Sequence, residues 1–277
     1  MQTSSYTLPA TKITQAFERA KNELRGALIP YFMCGYPSAE RSVELALAAA
    51  GAGADIIELG IPFSDPLADG ATIQRAGQVA LESGMTLKGC LDIAQRVSTQ
   101  TDVPLILMGH YNPVHSYGLE HFCADAAASG ASGLIIPDLP PEEATPLQQR
   151  AAQHGLALIF LVPPTAPDER IAAIVQAAMQ GIPGFLYCVA LNGVTGSRTS
   201  LPPHLREFVA RVHSYTKSCN LPLAVGFGLS TREHIAAVTS YADGAVVGSA
   251  IVNVIDRSAE NKQVEAVTTY IRDLKNQ

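Results

Sequence analysis

Short apolar runs recur along the whole chain, and each is followed by a loop rich in Gly, Pro or Asp and then by about ten to fifteen residues with helical periodicity. Short, near-continuous runs of Ile, Leu and Val are typical of strands buried on both faces, as a parallel sheet requires. Eight runs fit this description, at residues 29–34, 55–59, 104–108, 133–136, 157–162, 185–189, 222–225 and 244–247. Eight strands alternating with helices predict a closed (β/α)8 TIM barrel, an α/β fold. An open doubly wound sheet, which produces the same alternation, is the alternative.

The helices between the runs carry start and stop signals. Residues 230–233 (STRE) have the spacing of a capping box, and the glycines of residues 129–133 end the helix before them. Residues 12–25 predict an extra N-terminal helix that covers the floor of the barrel, and residues 260–274 predict a last helix that closes the outer ring. Because one such barrel takes about 250 residues and no linker interrupts the chain, residues 1–277 are expected to form a single domain.

Composition narrows the range of partners. The chain is 47% hydrophobic and 16% charged, and its 19 basic and 25 acidic residues are dispersed, with a formal net charge of -6. The sequence therefore lacks the basic patch of a nucleic-acid binder, and no run approaches the roughly 18 apolar residues of a membrane span. A small phosphorylated substrate remains compatible with this charge, because backbone amides at helix N-termini bind phosphate without net positive charge.

The cysteines and the N-terminal residues bear on the compartment. The five cysteines are odd in number, widely spaced and without a CxxC pair, which favours reduced thiols. The first residues contain no apolar segment of a signal peptide. We therefore expect a soluble, cytoplasmic protein.

An acidic motif, ELGIPFSDPLADG at residues 58–70, follows the second predicted strand. In a (β/α)8 barrel the functional groups lie at the carboxyl ends of the strands and in the loops that follow. Glu58 falls at such a strand end, and Asp65 and Asp69 fall in the loop. An ion-paired or helix-capping role is the structural alternative for Glu58, but no Lys or Arg occurs in residues 42–74 to pair with it locally.

The three acids of this motif have different predicted roles. A partly buried carboxylate without a cation has a raised pKa, because desolvation disfavours its charged form. Glu58 would then suit a group that gives and takes protons near neutral pH. Asp69 precedes Gly70 and is either a second functional carboxylate or an ordinary Asp-Gly turn residue. Asp65, followed by Pro66, is interpreted as a structural turn residue.

Glycine-rich loops follow the last three predicted strands: GVTG at 193–196, GFGLS at 226–230 and GSA at 248–250. The loops after strands seven and eight often form the phosphate site of this fold, with backbone N–H groups and a helix dipole directed at the anion. The alternative is that these glycines only form tight turns between strands and helices.

The sequence lacks the residues that Schiff-base, metal-dependent and dinucleotide-dependent catalysis need. The lysines fall in predicted helices or near the chain ends, which argues against a Schiff-base lysine at a strand end. His110 and His115 are close in sequence but have no third ligand nearby, so no metal site is predicted. The GxSxG and GxGxxG fingerprints do not occur. Acid/base catalysis by carboxylates, with no metal and no cofactor, is the prediction that remains.

Several longer motifs make the sequence similar to a known family. They are ELGIPFSDPLADG (58–70) followed by TIQ, YNPV (111–114), IIPDLP (135–140), LVPPT (161–165), GVTG (193–196), AVGFGLS (224–230) and DGAVVGSAIV (243–252). With these motifs, which are spread over nearly the whole chain, the sequence resembles the α subunits of tryptophan synthase. The resemblance implies a (β/α)8 barrel that cleaves indole-3-glycerol phosphate, by a retro-aldol reaction, into indole and glyceraldehyde 3-phosphate.

The same resemblance implies roles for individual residues. Glu58 matches the general acid/base that protonates indole C3 and takes the proton of the glycerol hydroxyl, and Asp69 matches the aspartate that accepts a hydrogen bond from the indole N–H. Tyr187 matches a pocket tyrosine, and Thr195 matches a loop threonine that closes over Asp69. The positions that bind the phosphate fall on Gly196, Gly228, Gly248 and Ser249.

The resemblance further implies a partner, the β subunit, which condenses indole with serine by means of its own pyridoxal phosphate, in an αββα complex. Pro66 lies in the loop that contacts this partner in the family. Three alternatives stay open: a standalone lyase that releases free indole, a non-catalytic allosteric partner of the β subunit, and a different phosphate-binding barrel enzyme.

Four positions depart from the family's common pattern. Leu191 stands where many members have an arginine, His110 replaces a usual tyrosine, and Tyr31 replaces a phenylalanine that lines the indole pocket in some members. Ala71 replaces a proline after ADG and is expected to loosen the loop that carries Asp69. The change at Leu191 bears on loop closure and on coupling to the partner.

Overall fold

The computed structural model describes residues 8–66, 69–190, 201–226 and 228–275. Parallel strands close into a barrel in which each strand pairs with the strands next to it in sequence, and the first pairs with the eighth. This closed order confirms the predicted (β/α)8 barrel and rules out the open sheet. The strands are β1 (Ala27–Met33), β2 (Ile57–Gly60), β3 (Leu105–Met108), β4 (Ala131–Ile135), β5 (Ala157–Val162), β6 (Leu186–Val189), β7 (Leu223–Gly226) and β8 (Gly244–Val247).

Helices surround the barrel, and the connections after β2 and β3 each contain two helices where the repeat predicts one. The helices of the described residues are α1 (Thr11–Asn22), α2 (Ala39–Gly51), α3 (Ala71–Glu82), α4 (Leu87–Ser98), α5 (Tyr111–Tyr117), α6 (Leu119–Ala128), α7 (Thr145–Gln153), α8 (Asp168–Gln180), α9 (Leu205–Thr216), α10 (Arg232–Thr239), α11 (Ser249–Arg257) and α12 (Gln263–Lys275).

The element boundaries differ from the predicted ones in small, explicable ways. β5 and β8 begin and end where the apolar runs do, and the other strands shift slightly because a parallel ladder needs a partner at each position. Thr231, rather than Ser230, caps α10, since its hydroxyl accepts a hydrogen bond from the N–H of His234 at 3.2 Å. The last helix begins at Gln263, after a 3-10 turn over Glu260–Lys262.

The extra N-terminal helix covers the barrel floor as predicted, although it ends at Asn22 rather than at residue 25. One face of α1 is buried, and it carries Ile13, Ala16, Phe17 and Ala20. The Phe17 ring lies 5.4 Å from the ring of Phe185, which directly precedes β6. An apolar lid of this kind removes the lower end of the barrel from water, so the open end of the barrel is the opposite one, at the carboxyl ends of the strands.

A buried ion cluster joins the two ends of the chain beneath the barrel. Asp55, just before β2, is 6% exposed. Arg25 donates two hydrogen bonds to its carboxylate, at 2.7 and 2.9 Å, and Lys275 of α12 donates another at 2.7 Å. The backbone N–H of Leu28 in β1 donates a fourth at 2.9 Å. One carboxylate therefore holds together the entry to β1, the entry to β2 and the last helix.

Replacing Asp55 with alanine is expected to destabilise the fold by about 3 to 5 kcal/mol, because two half-buried cations and one backbone N–H lose their acceptor. The free energy of unfolding in denaturant measures the loss. Asp102→Ala is the matched control, since Asp102 also pairs with a lysine, Lys12 at 3.7 Å, but its side chain is fully exposed. An equal loss in both variants would contradict the assigned role of the cluster.

The sequence predicts neither a membrane span nor a metal site, and it favours reduced cysteines. In the ranges that the structure describes, no helix is long and apolar enough to cross a membrane, and no three His, Cys, Asp or Glu side chains are grouped so that they could hold a metal ion. The five cysteines are free thiols. The single domain over residues 1–277 and a reaction without metal or cofactor stay predictions.

Candidate active site

Glu58 is the second residue of β2 and lies inside the barrel wall. Its Cα is in register with Tyr31 of β1 and Ile106 of β3, so it is flanked by strands on both sides. The residue is 1% exposed. Neither carboxyl oxygen has a hydrogen-bond partner among the residues that the structure describes. The ion-paired and helix-capping alternatives for Glu58 therefore receive no support, and the carboxyl group is available to a ligand.

Burial alone raises the pKa of Glu58 to about 8. The physical cause is desolvation, because the charged form loses its water and no cation or hydrogen-bond donor replaces it. At neutral pH the side chain is therefore mostly a neutral acid, which carries a proton it can give. A buried carboxyl group with such a pKa is typical of catalytic acids and bases.

This raised pKa has a consequence for stability. The folded chain keeps the Glu58 proton up to about pH 8, whereas the unfolded chain releases it near the ordinary value of 4.5, so the folded state binds more protons between these values. Stability attributable to Glu58 therefore falls as pH rises through this window, by about 1.4 kcal/mol per pH unit at most.

Glu58→Gln mimics the neutral acid and removes this dependence. We expect the variant and the wild type to unfold with similar free energies near pH 4.5, and the variant to be more stable by a few kcal/mol at pH 8. Chemical denaturation across this pH range measures the difference. A constant difference between the two proteins at all pH values would contradict the raised pKa.

Asp69 lies in the loop after β2, directly before the first turn of α3. The loop is tied to that helix, because the side-chain amide of Gln74 donates to the carbonyl of Asp69 at 2.9 Å and to that of Pro66 at 3.3 Å. The N–H of Asp69 also donates to the carbonyl of Pro66 at 3.1 Å. Burial raises the pKa of Asp69, and the nearby charge of His110 opposes this rise. The loosening expected from Ala71, which is the first residue of α3, stays a prediction.

Two tyrosines form walls of the site, and each packs against a glycine of the next strand. Tyr31 of β1 packs its hydroxyl against Gly60 of β2, and Tyr187 of β6 packs its hydroxyl against Gly226 of β7. A Cβ atom at either glycine would lie 2.0 Å from the tyrosine oxygen, so only glycine leaves room for the ring. Burial raises the pKa of both phenols well above the usual value. Both rings are therefore neutral, with their hydroxyls at the level of the strand ends.

The predicted phosphate positions that the structure describes lie on the other side of the opening. Gly228 follows β7 with φ +94, a backbone conformation that favours glycine. Gly248 follows β8, and Ser249 is the first residue of α11. The first N–H groups of a helix lack carbonyl partners and attract anions. Thr195 and Gly196, together with Leu191, lie outside the described residues.

One cavity of about 430 Å3, part of it open to solvent, collects these groups at the carboxyl ends of the strands. Six predicted residues line it: Glu58, Asp69, Tyr187, Gly228, Gly248 and Ser249. The cavity thus has two acids at one side, the N-terminus of α11 at the other, and apolar walls between them. Such an arrangement fits a ligand with a flat apolar ring and a phosphate group.

Sequence reasoning did not assign Ile73, Met108 and Val246 to the site, yet they also line the cavity. Met108 ends β3, Val246 lies within β8, and Ile73 is in the first turn of α3. Their apolar character marks them as buried but does not separate the cavity wall from the rest of the core. The signal that could have found them is their position at or near strand ends, on the inward side.

Comparisons with known proteins agree with this geometry. The family model described as "Tryptophan synthase alpha chain" matches residues 17–277. A tryptophan synthase alpha chain from Chloroflexus aggregans is 49% identical over 95% of this chain and 96% of its own length. A tryptophan synthase from Saccharomyces cerevisiae is 44% identical over 96% of this chain but only 37% of its own length. A solved structure of Mycobacterium tuberculosis tryptophan synthase superposes with a TM-score of 0.86 at 36% identity, covering 95% of this chain and 96% of that one.

Proposed function

The chain belongs to the tryptophan synthase alpha chain family and catalyses the cleavage of indole-3-glycerol phosphate to indole and glyceraldehyde 3-phosphate, and we propose that Glu58 and Asp69 carry out the chemistry. The observation that carries this assignment is the buried carboxyl group of Glu58, which has no hydrogen-bond partner among the described residues and lies in a cavity that Asp69 also lines. The reaction is a carbon–carbon lyase step in tryptophan biosynthesis. We also propose that the protein acts in the cytoplasm.

In the first step, Glu58 gives its proton to C3 of the indole ring. A neutral aromatic indole is a poor leaving group, so the ring must first be protonated at C3, which gives a non-aromatic cation. At pH 7 a pKa of about 8 leaves roughly ten protonated Glu58 side chains for each ionised one. Glu58 is therefore already protonated when the substrate binds. The ring's electron pair forms the new C–H bond, and positive charge develops on the ring nitrogen.

Asp69 stabilises that positive charge. An ionised carboxylate that accepts a hydrogen bond from the ring N–H interacts more strongly with the C3-protonated cation than with the neutral ring, and this difference lowers the barrier. The half-buried position of Asp69 strengthens the interaction, because little water screens it. Neutral Tyr31 and Tyr187 add no negative charge that would compete with the carboxylate.

In the second step, the Glu58 carboxylate takes the proton of the glycerol hydroxyl next to the ring. The oxygen's electron pair forms the aldehyde C=O, the bond between the side chain and C3 breaks, and its electrons return to the ring as indole. Glu58 is then protonated again, so a single group serves as acid and base in one turnover. The backbone at Gly228, Gly248 and Ser249 binds the phosphate, and this binding keeps the reacting carbon of the substrate beside Glu58.

Incubation of the purified chain with indole-3-glycerol phosphate tests the function directly. Because the substrate carries the same indole ring as the product, the released indole is extracted into an organic solvent before it is quantified. We expect indole and glyceraldehyde 3-phosphate in equal amounts. Absence of both products, with or without the β subunit, would refute the proposed function.

The expected partner is the β subunit, and the loop with Pro66 is the proposed contact. Ser64 and Asp65 in this loop are exposed, and the Ser64 hydroxyl donates to the Asp65 carboxylate at 2.6 Å, which fits a surface role for Asp65 rather than a catalytic one. Turnover alone and with added β subunit separates the subunit from the standalone lyase. Stimulation by the β subunit supports the partner, whereas strong activity that the β subunit leaves unchanged identifies the standalone lyase.

A further inference from the structure

His110 is a buried histidine that neither the fold nor the proposed chemistry accounts for. It follows β3 and directly precedes α5, and it is 7% exposed. Both ring nitrogens are shielded from solvent, and neither has a hydrogen-bond partner within the described ranges. A buried imidazole without partners costs free energy, since its N–H loses water and gains nothing in exchange. Such a cost is expected where the group acts on a ligand or on a catalytic residue.

The residues around His110 indicate that it acts on Asp69. Its ring packs on the ring of Phe63, with centroids 5.0 Å apart, and Phe63 lies in the same loop as Asp69. β2 and β3 are paired along Ile57–Gly60, so the ends of both strands open onto the same side of the cavity. His110 does not line that cavity but lies behind the loop that carries Asp69. Burial raises the pKa of Asp69, and the charge of His110 acts against that rise.

Of the acidic side chains on the elements around His110, Asp69 is the best candidate for the carboxyl group on which His110 acts. Glu58 on β2 is held neutral by burial, and its pKa shows no effect of a nearby cation. Asp138, in the loop after β4, already accepts hydrogen bonds from the backbone N–H of Tyr111, at 2.9 and 3.2 Å. No Lys or Arg is among the described residues that line the cavity. Among the described residues, His110 is thus a basic side chain placed behind the loop of Asp69 and able to act on that carboxyl group.

We propose that His110 is a positioning residue for Asp69: with substrate bound, its ring donates an N–H to the Asp69 carboxylate and keeps it ionised and directed at the indole N–H. This inference rests on the proposed function, which needs an ionised Asp69. A tyrosine, the usual residue here in the family that the sequence resembles, also offers a hydrogen bond but carries no positive charge.

The test is the acid limb of ligand binding, measured with a non-cleavable indole-alkyl phosphate whose indole fluorescence reports binding. In His110→Phe the carboxylate loses its counter-charge, so its pKa rises and binding is lost at a higher pH. We expect the midpoint to move up by about one pH unit, with the same shift in kcat/KM for cleavage. His110→Tyr keeps an aromatic ring beside Phe63 and a hydrogen-bond donor but no positive charge, so its midpoint should also move up, by less than in His110→Phe. His115→Phe, which replaces an exposed histidine within α5, should leave the midpoint unchanged.

The Asp69→Asn background separates positioning from a general structural effect. Because asparagine cannot ionise, adding His110→Phe to it should move no acid limb, whereas a packing defect would lower binding in both backgrounds. An acid limb in His110→Phe and His110→Tyr that matches the wild type would overturn the inference. If the wild type releases indole in that case, the proposed function stands and only the role of His110 fails. If the wild type releases none, the function itself fails.

Discussion

Glu58→Gln is expected to lower kcat for indole release by a factor of about 10² to 10⁴, the range measured when a proton-transfer group is removed. Glutamine keeps the size of the side chain and its neutral charge, so it fits the same buried position. It cannot give a proton to C3 or take one from the glycerol hydroxyl, and both steps lose their catalyst together. Steady-state turnover of indole-3-glycerol phosphate measures the effect.

Binding distinguishes lost chemistry from lost structure in this variant. The affinity for a non-cleavable indole-alkyl phosphate should stay within about threefold of the wild type, since the neutral acid and the amide have the same charge. Glu82→Gln, on the exposed side of α3, is the matched control and should keep full activity. Turnover of Glu58→Gln at the wild-type rate would remove Glu58 from the mechanism.

Asp69→Asn is expected to lower kcat/KM by a factor of about 10² or more, because the developing charge on the ring nitrogen loses its counter-charge in a site with little water. The wild type should show a bell-shaped pH profile. Activity rises as Asp69 ionises on the acid side and falls as Glu58 loses its proton near pH 8. In Asp69→Asn the residual activity should keep the alkaline fall and lose the acid limb.

Asp65→Asn is the matched control, because Asp65 lies in the same loop but is exposed and bonded to Ser64. Measured on the chain alone, it should change kcat/KM by less than about twofold. An unchanged acid limb in Asp69→Asn would assign that limb to another group and would contradict the proposed role of Asp69.

The barrel was predictable because its physical signal is local in sequence. A strand buried on both faces needs a short, near-continuous apolar run, and β5 (Ala157–Val162) and β8 (Gly244–Val247) match their runs at both ends. Paired helices after β2 and β3 were not predicted, because a helical period does not show where one helix stops and a second begins. The Thr231 cap was missed by one residue, since Ser230 and Thr231 offer the same chemistry and only the chain's path selects between them.

The candidate site also contains residues that the sequence predicted and residues that it did not. Glu58 and Asp69 were found because acids among apolar residues at a strand end are conspicuous, and the glycines were found because loops at the same end carry them. Met108 and Val246 were missed because apolar residues look alike whether they line a cavity or fill a core. His110 was visible in the sequence, but its relation to Asp69 was not.

By itself, the sequence determined the alternation of strands and helices, the placement of Glu58 and Asp69 near the end of one strand, and the resemblance to a family. Each of these depends on neighbouring residues along the chain. Only the tertiary structure decided that Glu58 has a pKa of about 8 and no hydrogen-bond partner in the part of the chain that the structure describes, and that His110 lies behind the loop of Asp69. Desolvation and charge proximity depend on every element packed around a group, and those elements come together only when the barrel closes.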